Sequence, residues 1–184
     1  MQLPDTFTAM LLQRLFALLC CWLSLHATAQ APVFTSARFG SLKLKAPLDS
    51  VNAHLDKKIS ISRAVPDDEL RYDTVLSSLG GIALRLVLMS GADERHKLVT
   101  TLVSIYSEDS RLVTRGGISP GLSKFELVRL LDGSELIVSP DTEKGKAFSR
   151  VQLYDRATGN SMTFFFRDNL LYAIEIQPEE YYDC

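Results

Sequence analysis

The chain has 184 residues, 20 of them basic and 22 acidic, for a formal net charge of −2 at pH 7. No basic block or basic–aromatic stripe stands out, so nucleic acid is not an expected partner. The length suits one ordinary domain behind an N-terminal targeting segment.

Residues 1–29 read as an export signal. Leu15 to Leu25 is an apolar run, Arg14 sits just ahead of it, and Ala27-Thr28-Ala29 closes it as a small-x-small cleavage site. The run is about half of the ~20 residues that a spanning helix needs, so no transmembrane segment is expected in the mature chain, residues 30–184. Met10 is the better start, because it places a cation directly before the apolar core. Cys20 and Cys21 lie inside the run, and Leu19 rather than a small residue precedes them. They are expected to leave with the signal rather than carry lipid. Cys184 then remains alone, which excludes an internal disulfide and leaves open an intermolecular one. The expected location is the periplasm or the extracellular space.

Residues 30–184 read as a single exported α+β domain made of two repeats, about 42–112 and 116–178. Each repeat is a short helix packed on an antiparallel β-sheet. In the first, Leu48-Asp49-Ser50-Val51 reads as a helix start with Asp49 as its cap, and Val51 and Leu55 share a face. Asp73 to Leu79, Gly80-Gly81, and Ile82 to Met89 predict a hairpin, with Ile82, Leu84, Leu86 and Leu88 as its inward row. Gly91 to Lys97 is a polar turn, and Leu98 to Tyr106 is a third strand.

The second repeat follows a tight joint at Gly116-Gly117 and Ser119-Pro120-Gly121. Ser123 and Glu126 stand at capping-box spacing, flanked by Leu122 and Leu127 at staple spacing. Phe125, Val128 and Leu131, with Leu127 and Leu130, predict a wide apolar stripe, and Gly133 a left-handed stop. Ser139 to Lys146 reads as a loop. Val151 to Tyr154 and Met162 to Phe166 flank a turn at Ala157 to Ser161, and Arg167-Asp168-Asn169 makes the next turn. In the last strand Leu170, Tyr172, Ile174 and Ile176 are expected to face inward.

The segment Gly121-Leu122-Ser123, then Leu127, then Leu131, resembles the helix-start signature of the SmpA/OmlA-type outer-membrane lipoproteins. The two-copy layout is similar to the tandem repeats of the β-lactamase inhibitory protein type. The resemblance implies a helix on an antiparallel sheet, and a protein-binding module of the envelope or secretome. The chain departs from it in four ways. Asp132 stands where the family has glycine, Pro47 replaces the glycine of the first copy, no lipidated cysteine is present, and no internal disulfide can form. No binding residue carries over.

The residues offer little catalytic chemistry. His54, placed on the first helix, and His96, in a charged turn, read as surface residues. No Cys/His cluster suggests zinc. No serine sits in a Gly-x-Ser-x-Gly elbow. Asp67-Asp68-Glu69 and Glu108-Asp109 read as solvated turns. Asp141-Thr142-Glu143 begins like a calcium loop, but Lys144 and Lys146 stand among the would-be ligands. Neither glycine pair leads into a phosphate loop. No cofactor and no metal is expected.

The second face of the sheet is the better hint. Tyr154, Phe165, Leu171 and Ala173 are expected opposite the core row, with Thr163, Arg167 and Glu175 nearby. A polar-rimmed apolar patch of that kind marks a partner site when it is exposed. Tyr154, Phe165, Arg167, Leu171 and Glu175 are therefore the candidate binding residues, for another envelope or secreted protein. The other repeat, or Val33 to Leu44, could instead cover the patch. The expected function is non-catalytic binding. The alternatives are a secreted hydrolase with a dispersed Ser/Asp/His site, and a structural envelope protein paired through Cys184.

Overall fold

In the computed structural model, which describes residues 32–61, 70–92, 97–142 and 144–179, two tight turns set the strand pairing. Gly80 and Gly81 both take positive φ, 59° and 74°, and Asp168 and Asn169 do the same at 52° and 63°. Two successive left-handed residues make the hairpin turn whose twist matches that of its strands. Asp56 braces the first turn by accepting the Gly80 and Gly81 N–H groups at 3.2 and 2.9 Å. The export-signal segment 1–29, the acidic set 67–69, His96, Glu143 and Cys184 lie outside the described residues.

The described elements, in chain order, are β1 (Phe34–Thr35), β2 (Arg38–Phe39), β3 (Leu42–Lys43), α1 (Leu48–Asn52), β4 (Arg71–Leu79), β5 (Ile82–Ala92), β6 (Leu98–Ser107), α2 (Lys124–Leu130), β7 (Leu136–Pro140), β8 (Phe148–Asp155), β9 (Asn160–Arg167) and β10 (Leu170–Pro178). Strands β1 to β3 form a small sheet. The other seven form one sheet in the order β4-β5-β6-β10-β9-β8-β7. Every named pairing is antiparallel. Thus the strands on either side of the Gly116-Gly117 joint belong to one continuous sheet, joined where β6 meets β10.

The expected α+β fold of two helix-on-sheet repeats does not hold. The protein is mostly β, with two antiparallel sheets of three and seven strands and, among the described residues, two short helices of five and seven residues. Helix α1 starts at Pro47 without a side-chain cap, and Asp49 lies inside its first turn rather than at the cap. So short a helix gains little from its own hydrogen bonds and depends on packing. Helix α2 does carry the predicted capping box, yet only Leu127 is buried on it. Phe125, Val128 and Leu130 are exposed, so the apolar stripe is not a core face.

The second layer is built largely from the small sheet. Phe34, Phe39 and Leu42 join one core cluster with Ile82, Leu84, Leu86 and Leu88 of β5 and Met162, Phe164 and Phe166 of β9. The Phe34 and Phe39 rings lie 4.3 Å apart. Burying side chains of this size contributes about 1.5–3 kcal/mol each, which explains why a strand of two residues can hold its place. Val33 to Leu44 therefore packs on the core side, while on the second face Ala173, Thr163 and Ser161 are also buried. Two further differences bear on that face. Ser139 and Pro140, read as loop, end strand β7. A bulge between Leu171 and Ala173 turns Leu171 into the core, 2% exposed, and swings Tyr172 to the other side.

Candidate functional site

Register places one polar row across the middle of the second face. Arg85 of β5 faces Tyr106 of β6, Tyr106 faces Glu175 of β10, and Glu175 faces Thr163 of β9. The next row runs Ala173, Phe165, Arg150 across β10, β9 and β8. These side chains share a face because successive strand residues point to opposite sides.

An aromatic strip crosses the two rows diagonally. The Tyr106 and Phe165 rings meet edge to face at 5.6 Å between centroids. Phe165 stands 6.4 Å from Tyr172, and Tyr172 meets Phe148 edge to face at 6.1 Å. Such separations are in the favourable range for ring pairs. Cations lie along the strip. The Arg85 guanidinium sits 3.9 Å over the Tyr106 ring. The Lys144 ammonium is 5.5 Å from the Phe165 centroid and 5.6 Å from that of Tyr172, and donates to the Tyr172 hydroxyl at 3.0 Å. Arg167 lies 5.9 Å over Tyr172. All fall within the ~6 Å over which a ring face attracts a cation. Glu108, Lys144, Phe148, Arg167 and Tyr172 line an open depression of ≈ 370 Å³ at this end of the sheet.

Two acids accompany the strip, and both are engaged. Ser104 Oγ donates to the Glu175 carboxyl at 2.6 Å, and the Tyr106 hydroxyl donates to Glu108. Burial raises the Glu175 pKa, partly offset by the Ser104 hydrogen bond and by Arg85, Lys144 and Arg150. Burial, with Glu108 beside it, also pushes the Tyr106 phenol above its ordinary range, so it stays a neutral donor.

Of the sequence-derived candidates, Phe165, Arg167 and Glu175 are brought together here. Leu171 is not, since the bulge puts it in the core. Tyr154 shares the face but stands opposite Ser161, about 13 Å along the strand from Phe165's partner Arg150. The Tyr154 and Ser161 hydroxyl oxygens are buried without a hydrogen-bond partner. Sequence reasoning missed Arg85, Tyr106, Lys144 and Tyr172. Arg85 was legible as the outward residue between Leu84 and Leu86. The docking of β6 beside β10 was not, because no local pattern encodes it.

Other candidates fall elsewhere. His54 is exposed just past the Ala53 C-cap of α1 rather than on the helix. Asp109, read as part of a solvated turn, is held by Arg111 at 2.6 Å. Among the described residues no group of three or more His, Cys, Asp and Glu side chains could hold a metal ion, and no helix is long and apolar enough to cross a membrane. No protein-family model, curated protein or solved structure matches this chain.

Proposed function

We propose that this chain is an exported, non-catalytic binding module that takes another envelope or secreted protein on the second face of its large sheet. One observation carries the reading. Phe165 is half-buried between Tyr106 and Tyr172, with the Lys144 ammonium 5.5 Å from its ring. Aromatic anchors with a charged rim are the groups that dominate protein interfaces. The pattern of residues 15–29 supports export.

The test uses the full chain as bait on envelope and culture fractions, beside Phe165→Asp. A partner lost in the variant, with circular dichroism and the thermal midpoint unchanged, is the expected result. Equal capture by both proteins rejects this face. Export is checked separately by N-terminal sequencing of the protein recovered outside the cytoplasm, expected to start at Gln30.

A further inference from the structure

We infer that the partner segment taken on this face is an acidic peptide strand in which carboxylates flank an apolar side chain. The inference rests on the reading of this face as the binding surface, and charge supplies the argument. Arg85, Lys144, Arg150 and Arg167 are all exposed around the strip. The ion pairs among the described residues are Arg71–Asp73, Arg111–Asp109 and Arg156–Glu135, and none uses these four cations. Meanwhile the whole chain is net negative. Glu175, on which Arg85, Lys144 and Arg150 already act, and Glu108 are two acids at the strip against four cations, so positive charge is in excess there.

The cations also have favoured positions. The Tyr106 ring attracts Arg85, and the Phe165 and Tyr172 rings attract Lys144, which favours these positions before any partner arrives. Pre-positioned guanidinium groups suit carboxylates, which they can take in bidentate fashion. Phe165 and Tyr172 add apolar ring surface between the charges. An extended peptide presents alternate side chains on one side about every 7 Å, so carboxylates can meet cations while an apolar residue meets a ring. Inorganic phosphate has no group to fill the second role, and a bilayer lipid keeps its acyl chains beneath its headgroups.

The probe is a labelled peptide of alternating Glu and Leu, titrated against the full chain. Matched Gln/Leu and Lys/Leu peptides, inorganic phosphate and phosphatidylglycerol vesicles serve as the other arms. The acidic peptide is expected to bind about tenfold more tightly than the neutral one, and less tightly as salt shortens the screening length. The double variant Lys144→Glu/Arg167→Glu is expected to weaken it about tenfold, since two exposed attractions become repulsions. The charge-matched pair Arg38→Glu/Lys43→Glu, exposed on the small sheet that packs against the core side, is expected to change it by less than about twofold. Equal binding of the neutral peptide, no binding of the acidic one, or stronger binding of phosphate or vesicles overturns the inference. The capture assay separates this failure from that of the wider reading. Capture lost with Phe165→Asp but kept with the double charge reversal refutes only the acidic partner. Capture kept by both variants refutes the face itself.

Discussion

Glu175 and Ser104 meet across β10 and β6, with the Ser104 hydroxyl donating to the carboxyl at 2.6 Å. That bond does not offset burial, which holds the Glu175 pKa above its ordinary 4.5. Between the ordinary value and the raised one, the folded protein keeps a proton that the unfolded chain has released. Stability from this group therefore falls as pH rises through that window. Glu175→Gln keeps an acceptor for Ser104 and removes the buried charge. The variant is expected to melt higher than the parent at pH 7, with the gap closing in acid. Thermal midpoints across pH check this, and a variant that melts lower at pH 7 refutes it.

Asp109 works in the opposite sense. Its hydrogen bonds from the Arg111 side chain lower its pKa from 3.8 to about 2. Arg111 also donates to the Gly81 carbonyl at 2.8 Å, tying the segment after β6 to the β4–β5 turn. The stability gained is present above the unfolded value and lost as pH falls towards the folded one. Asp109→Asn is expected to melt lower at neutral pH and to approach the parent only as pH falls below ~2. A gap that persists in strong acid would show that the carboxylate charge is not the cause.

Helix α2 gives a sharp contrast between neighbours. Leu127 is 0% exposed and Phe125 is 77% exposed. Leu127→Ala is expected to cost about 2–5 kcal/mol. Phe125→Ala, at an exposed site, should fall within about 0.5 kcal/mol of zero. Ser123 accepts the Glu126 N–H at 3.2 Å as the helix cap, and Ser123→Ala is expected to cost about 1 kcal/mol. Denaturant unfolding of the three variants checks the order. A large loss from Phe125→Ala would restore the apolar stripe as a core face.

These contrasts show what the sequence could carry. The Gly80-Gly81 and Asp168-Asn169 turns, the Ile82 to Leu88 row, the Met162 to Phe166 row and the Ser123–Glu126 cap were all legible, because each depends on residues close in sequence. The fold class was not. Three two-residue strands between Phe34 and Lys43 are too short for any alternation to register, yet they supply the second layer. The apolar run on α2 looked like a core helix because composition cannot say whether anything lies opposite it. At the candidate site, Phe165, Arg167 and Glu175 followed from alternation alone. Tyr106 and Lys144 needed the β6–β10 pairing and the path of the loop before β8, which are set by tertiary packing.

The bulge at Leu171 and Ala173 provides the last test, because it reverses the side on which two adjacent residues act. Strict alternation from Ile174 puts Tyr172 in the core and Leu171 on the binding face. Instead Leu171 faces Phe166 in the core, while Tyr172 accepts from Lys144 at 3.0 Å on the other side. Leu171→Asp would bury an unpaired charge, and its cost is expected to exceed about 4 kcal/mol, enough to unfold a marginal domain. Tyr172→Asp places its charge among Lys144 and Arg167 and is expected to leave the fold intact. It should also remove the ring that holds Lys144, and so weaken capture of the partner. Circular dichroism of both variants decides the matter. If Tyr172→Asp unfolds and Leu171→Asp does not, the strand is regular, and the binding face must be redrawn around Leu171.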